Sequence, residues 1–400
     1  MNILMLTPYL PYPLHSGGQI RTYNLLKSLS KKHSITLFSL IKDESERSYI
    51  EELQKYCVKI RVFKRSEKAF TLRNIFRAGF SLYPFLVIRN FVDEVKDEVR
   101  KELQAKEYHA IHAETFYMMP NIPATSVPVL LVEQTIEYLG YLSYAKSFRY
   151  WFLKPLLYID IFKIKLWEEF FWRACTRLIA MSQEDRQFML KTVAPDKDVN
   201  VVENGVDVEF FEKTKKRVLP NPTVLFVGTF KWLPNVEAVQ YLVEKVWPII
   251  LQTVPTAKMK IVGNAPTDVV YALAKRHNGV EVVGRVEDIR DAYANAHVLV
   301  APVFSGKGTR YKVLEAMATR TPVVGTPIAV EGLGVQSGVH ALVGATANEL
   351  ALHTIAVLQN ENLREALAEQ AQKWGFDRYN WKNIADKLDS IYLKVGDHHV

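Results

Sequence analysis

Apolar positions along the chain follow two alternating rhythms. Short apolar runs closed by Gly, Pro or Asn read as buried strands, and stretches with apolar residues every three or four positions read as helices. The runs 2–8 (NILMLTP), 34–40 (SITLFSL), 57–63 (CVKIRVF), 109–114 (HAIHAE), 128–133 (PVLLVE) and 177–182 (RLIAMS) are predicted strands. QIRTYNLLKSLSKK (19–32) and SYIEELQKY (48–56) have helical spacing. This alternation implies an α/β fold, a parallel sheet with helices on both faces. A second series starts after VNVVENGVD (199–207). Its strands are predicted at 222–229, 257–263, 280–286 and 297–303. Its helices are predicted at 235–250, with Asn235 as cap, and at 268–276 and 288–296. Residues 305–324, SGKGTRYKVLEAMATRTPVV, follow as loop, short helix and strand, and the spacing predicts further helix over 349–374 and 381–394.

Four hundred residues exceed one ordinary core, so two domains are expected. The boundary is expected near 204–221, where NGVD and the Pro-rich VLPNPT interrupt the pattern. The content of 48% hydrophobic and 24% charged residues is that of a globular enzyme rather than a disordered chain. Residues 1–200 hold 29 Lys+Arg against 22 Asp+Glu, a net +7, whereas residues 201–400 hold 22 against 21, a net +1. The basic N-terminal half points to an anionic partner, such as phospholipid or a phosphate-bearing acceptor. Nucleic acid is not expected, because no RNA-binding signature or basic recognition helix accompanies the charge.

The two cysteines, Cys57 and Cys175, have neither disulfide-framework nor zinc spacing, which fits a reducing, cytoplasmic setting. The N-terminal segment MNILMLTPYLPYP lacks the charged region of a signal peptide. Residues 151–172, WFLKPLLYIDIFKIKLWEEFFW, are interrupted by Lys154, Asp160, Lys163, Lys165, Glu168 and Glu169. They are too polar to span a bilayer and read as a partly buried helix pair; the other reading is a helix lying at a membrane surface.

Three places carry candidate chemistry. Gly17-Gly18, between the first strand and its helix, lets backbone approach a ligand and leaves free amides at the helix start. His112, in HAIHAE, lies near the carboxyl end of a strand, where ligands bind in such folds, and shares a strand face with Glu114. The loop of Gly306, Lys307, Gly308, Thr309 and Arg310 precedes a helix, giving an anion site of amides and cations. Glu315 follows within that helix among Leu314, Ala316 and Met317. A carboxylate there is costly to bury without a hydrogen-bonding partner, and a sugar's vicinal hydroxyls could provide one.

VVENGVD, VLFVGT, MKIVG, VEVVGRVEDIRDAYANAHVLVAPV and VLEAMATRTPVVGTPIAVEGL occur in the order and spacing that resemble the retaining glycosyltransferases of family four, also called group one. The resemblance runs from Asn2 to Tyr392 and is strongest from Val201 to Leu333. It implies the GT-B fold, two Rossmann-like domains facing across a cleft. The domains would be 1–203 for the acceptor and 204–375 for the nucleotide sugar, with 376–400 a helix returning to the first. By the same resemblance Glu315 holds the nucleotide ribose and Gly18, next to Gly17, lies near the donor phosphate. His112 lies near the transferred sugar, and Gly284-Arg285-Val286 cradle the base. Gly228, Thr229 and Lys231 fall in the donor loop after VLFVG.

The chain departs from the family pattern at three positions. Lys307 stands eight residues before Glu315, where the family has a glutamate. Thr229 and Pro234 stand where it has arginine and lysine. Arg310, with Lys231 or Lys307, is expected to take over the diphosphate, with no metal and no cofactor beyond a UDP- or GDP-sugar donor. The implied activity is metal-independent transfer of a hexosyl group to a glycan or lipid-linked acceptor in cell-surface polysaccharide or glycoconjugate synthesis. The expected location is cytoplasmic, at the inner face of the membrane if the basic N-domain touches lipid. The alternative is a GT-B protein that binds a nucleotide sugar without transferring it, or an epimerase.

Overall fold

The apolar runs pair side by side, each strand hydrogen-bonded to parallel neighbours. The computed structural model describes residues 1–65, 71–148, 150–193, 197–217, 219–305 and 311–396. The first sheet contains β1 (Asn2–Thr7), β2 (Ser34–Ile41), β3 (Lys59–Lys64), β4 (Ala110–Glu114), β5 (Val129–Val132), β6 (Arg177–Ala180) and β7 (Val199–Val201). Its order is β3-β2-β1-β4-β5-β6-β7. The second contains β8 (Thr223–Val227), β9 (Lys258–Val262), β10 (Val280–Gly284), β11 (Val298–Ala301), β12 (Val323–Gly325) and β13 (Leu342–Val343), in the order β10-β9-β8-β11-β12-β13. β1 and β4 are buried on both faces because helices cover them. In each sheet the strand order reverses once, between β1 and β4 and between β8 and β11. Loops diverge at such a switch point and leave a crevice at the carboxyl ends of the strands.

The chain divides into two units, Met1–Asn204 with Trp381–Val400, and Gly205–Asn380. The last helix, Trp381–Gly396, belongs to the first unit. There Asp389 bonds His33 Nε2 at 2.8 Å and Lys32 Nζ at 2.6 Å, and Lys387 pairs with Glu203 at 2.8 Å.

Four local expectations change. Asn235 lies inside the helix Leu233–Tyr241 rather than capping it, because Leu233 and Pro234 already form the first turn. The predicted 349–374 helix is two, Ala347–Gln359 and Glu361–Tyr379, since Asn360 is extended and caps the second by accepting from Leu363 N. Residues 151–172 form a short turn and then one helix, Lys154–Ala174, which packs against the helix Glu137–Ser147. Helices Leu72–Phe80, Phe85–Asn90 and Asp93–Ala105 occupy a stretch to which the sequence pattern assigns no element. Among the described residues no helix is long and apolar enough to cross a membrane. Cys57 and Cys175 are buried and unpaired, and burial pushes both thiols up to about 12.

Candidate functional site

In the first unit a hydrogen-bonded chain gathers at the switch point. His112 and Glu114 lie two residues apart on β4, so both side chains leave the same face of the sheet. His112 Nε2 is 3.0 Å from Glu114 Oε1, and His112 Nδ1 is 2.5 Å from the Tyr392 hydroxyl. The carboxylate can only accept, so Nε2 carries the proton that faces Glu114, and Nδ1 pairs with the Tyr392 hydroxyl. Glu114 Oε2 accepts from Gln134 Nε2 at 2.7 Å, and the same nitrogen donates to the Tyr9 hydroxyl at 2.6 Å. Burial alone would raise the Glu114 carboxyl. The bond to His112 and its charge, then the charge of Arg21 and the bond from Gln134, bring it below the usual carboxylate range. Arg21 is fully buried and donates to Glu203 O at 2.8 Å and Asn204 Oδ1 at 3.1 Å.

Gly18 ends this chain. A Cβ there would lie 2.2 Å from the Tyr9 hydroxyl and 2.6 Å from Gln134 Oε1. The missing side chain lets the start of the helix Gly17–Leu29 sit against the Tyr9–Gln134 pair. Ser16 caps that helix by accepting from Gln19 N. The resemblance places His112 near the transferred sugar; in the structure its side chain is fully buried, and its two ring nitrogens are bonded to Glu114 and Tyr392. Tyr9, Gln134 and Tyr392 escape sequence reasoning, since nothing in their local pattern separates them from structural polar residues.

In the second unit the strand ends approach backbone to backbone. Gly228 N donates to Val262 O at 3.0 Å, and Gly263 N donates to Gly284 O at 2.8 Å. A Cβ on Gly263 would stand 1.7 Å from Gly228 O, and its φ is +153°. Only glycine fits there, and the consequence is a flat floor of main chain beyond β8, β9 and β10. Asn235 closes the Gly228-Thr229 turn, donating from Nδ2 to Thr229 O at 2.8 Å. Lys312 Nζ donates to Asn235 Oδ1 at 2.9 Å and lies 4.4 Å from the centre of the Phe226 ring. Lys312 therefore ties the helix after β11 to the loop after β8, on either side of the switch point.

Glu315 lies on that helix, Tyr311–Ala318. It is half-buried, and Oε2 accepts from the Tyr293 hydroxyl at 2.8 Å. Burial raises its carboxyl, and the bond from Tyr293 and the charge of Lys312 offset this only in part. Lys231 and Arg285 are exposed at the ends of the loops after β8 and β10, and Val286 is half-buried beside Arg285. Lys307, Gly308, Thr309 and Arg310 lie outside the described residues. Asp196-Lys197-Asp198 has the spacing of a metal-binding Asp-x-Asp pair, which the metal-free expectation overlooks. Asp196 is outside the described residues. Asp198 pairs with Arg177 just before β7, at the amino ends of the strands and away from the candidate residues.

Residues 15–210 match the family described as Glycosyltransferase Family 4, and residues 221–360 match Glycosyl transferases group 1. Together the two matches span most of the chain, which belongs to the group 1, family 4 glycosyltransferases. A 44.6 kDa protein of the cps region of Klebsiella pneumoniae is 21% identical over 97% of this chain and 98% of its own length. Among solved structures, sucrose-phosphate synthase from Thermosynechococcus elongatus superposes with a TM-score of 0.72 at 17% identity, covering 100% of both chains. HepE of Anabaena, solved with UDP and glucose, gives 0.62 at 16% identity over 98% of this chain and 100% of that one. The two Rossmann-like sheets are those of the GT-B fold.

Proposed function

We propose that this glycosyltransferase moves a hexosyl group from a UDP- or GDP-sugar to a glycan or lipid-linked acceptor with retention of configuration, in cell-surface polysaccharide or glycoconjugate synthesis. The observation that carries the donor reading is Glu315, a carboxylate with one oxygen held by Tyr293, on the helix that Lys312 ties through Asn235 to the Gly228-Thr229 turn at the switch point. Its other oxygen would accept from the ribose hydroxyls. UDP in HepE and the cps-region relative support the donor class and the polysaccharide role.

Departure of the nucleotide diphosphate places negative charge on the leaving oxygen. The amides at the start of the helix Tyr311–Ala318 and the cations Arg310, Lys307 and Lys231 would neutralise it without a metal. The acceptor attacks from the leaving-group face, and the departing phosphate takes its proton, so no side-chain base is needed. The donor carries the activated sugar, and no separate cofactor is invoked. In the first unit, His112 serves as a positioning residue. It holds Glu114, and through Gln134 and Tyr9 it sets the position of the Gly17-Gly18 helix start. The acceptor lies with the basic first unit at the cytoplasmic face of a membrane.

Arg310→Ala tests this reading. Donor affinity and turnover should both fall, and unchanged values would remove Arg310 from the diphosphate site. Lys307, in place of a glutamate, favours one second reading, a nucleotide-sugar binder that does not transfer. Tight binding of UDP- or GDP-sugars with neither hydrolysis nor transfer would establish it.

A further inference from the structure

The helix Lys154–Ala174 carries two apolar stripes. Ile161, Ile164, Phe171 and Trp172 are buried in the first unit. Leu156, Ile159, Phe162, Leu166 and Phe170 recur at three- and four-residue steps and are 50–65% exposed. A surface helix normally turns one apolar stripe inward and a polar face outward. This one leaves about 21 Å of apolar stripe, at 1.5 Å per residue, facing solvent.

The exposed field continues beyond the helix. Trp151 and Phe152 precede it, and Trp151 is 78% exposed. Phe80 and Leu82, 82% and 83% exposed, are fastened alongside. Lys163 Nζ donates to Ala78 O and Ser81 O, each at 2.7 Å, and Trp167 Nε1 donates to Leu82 O at 2.9 Å. Lys163 thus satisfies main-chain carbonyls at the end of the helix Leu72–Phe80 instead of interrupting the apolar face. Single exposed aromatics are ordinary, but a joined field of this kind marks an interaction surface.

The flanking sequence is cationic. Residues 64–83 hold Lys64, Lys68, Arg73 and Arg77 against Glu67, besides Arg65, which is buried against Asn90, and residues 144–154 hold Lys146, Arg149 and Lys154 with no acid. We propose that this face docks on an anionic phospholipid bilayer. The helix Lys154–Ala174 lies along the surface, its outer stripe and Trp151 enter the headgroup layer, and the flanking cations meet lipid phosphates. A second copy of the chain fits less well, because an isologous contact sets one cationic flank against its twin. The inference deepens the membrane contact proposed above, replacing a diffuse basic surface with a defined apolar face, and binding through it requires no donor.

Flotation of the full chain with vesicles of equimolar phosphatidylcholine and phosphatidylglycerol tests it, against vesicles of phosphatidylcholine alone. The chain should float with the anionic vesicles and bind the neutral ones more weakly. The double variant Phe162→Asp, Leu166→Asp should lose about tenfold or more in vesicle affinity while keeping the wild-type melting curve, which these exposed positions do not control. Failure of the wild type to float, or wild-type flotation by the variant, overturns the proposal. So does a concentration-dependent dimer that the variant dissolves, which would assign the face to self-association. Vesicle binding without sugar transfer would leave this inference standing and remove the transferase reading alone.

Discussion

The hydroxyl of Tyr392 lies 2.5 Å from Nδ1 of His112, a residue 280 positions earlier in the chain. Both side chains are fully buried. The bond makes the last helix part of the first unit's candidate site, because His112 also holds Glu114. Tyr392→Phe deletes the hydroxyl and leaves Nδ1 unsatisfied in the core. It should cost about 1–3 kcal/mol, the usual penalty for a stranded buried polar group, read as a lower urea midpoint with an unchanged slope. A midpoint within error of the wild type would show that the contact does not hold the helix.

Gly18→Ala sets a methyl 2.2 Å from the Tyr9 hydroxyl and 2.6 Å from Gln134 Oε1. Gln134 can swing away, but Tyr9 ends in a rigid ring. The helix start should therefore shift, and turnover should fall about tenfold, as small displacements of positioning groups do. Adding Tyr9→Phe removes the closest atom and should restore part of the activity. Equal activity in the single and double variants would argue against this coupling.

Glu315→Ala should weaken UDP or GDP binding by about 10- to 100-fold, the range for losing a hydrogen bond to a charged group. Tyr293→Phe keeps the carboxylate but releases one oxygen from its holder. A smaller loss is expected there, together with some destabilisation. Calorimetric titration of the nucleotide separates the two effects, and equal losses in both variants would contradict the assignment of Glu315 as the direct contact.

A buried acidic group beside the first site gives a pH signature. Glu168 accepts from Glu137 N at 2.8 Å and Tyr138 N at 3.1 Å, capping the helix Glu137–Ser147, and Glu133 accepts from Trp172 Nε1 at 3.0 Å. Burial pushes the Glu137 carboxyl from 4.5 up to about 7. Burial, then repulsion by Glu168, holds Glu133 well above the usual range, and burial, then repulsion by Glu137, does the same for Glu168. A folded-state value above the unfolded one means that stabilisation is full below pH 4.5 and is lost as pH rises through about 7. Glu137→Gln should flatten that dependence and stabilise the chain by about 1–2 kcal/mol near pH 8. Parallel curves for variant and wild type across this window would show that Glu137 is ionised throughout.

The strands are legible in the sequence because a parallel strand buried on both faces must be an unbroken apolar run, and NILMLTP and VLFVGT are such runs. Gly17, Gly18, Gly228 and Glu315 are legible as candidates because each breaks an expectation: adjacent glycines before a helix, a glycine at a strand end, a carboxylate among apolar neighbours. Asn235 misleads. It has the chemistry of a cap, yet its side chain is engaged by Thr229 and by Lys312, which lies 77 residues away. The His112–Glu114 pair is legible from strand alternation, but Tyr9, Gln134 and Tyr392 join it from separate elements, becoming neighbours only when β1, β4 and β5 pair and the last helix packs against them. The double apolar character of 151–172 is visible in composition. Which stripe faces solvent follows only from packing against the helix Glu137–Ser147.

The central claim, a nucleotide-sugar site built around Glu315, is tested most directly by thermal shift with UDP, GDP and their hexose conjugates on the wild type and on Glu315→Ala. A ligand at about 100 times its dissociation constant stabilises the folded state by about 2.7 kcal/mol. One nucleotide series should therefore raise the wild-type melting temperature by several degrees and leave Glu315→Ala nearly unmoved at the same concentration. No shift with either series, or an equal shift in both proteins, would contradict the account.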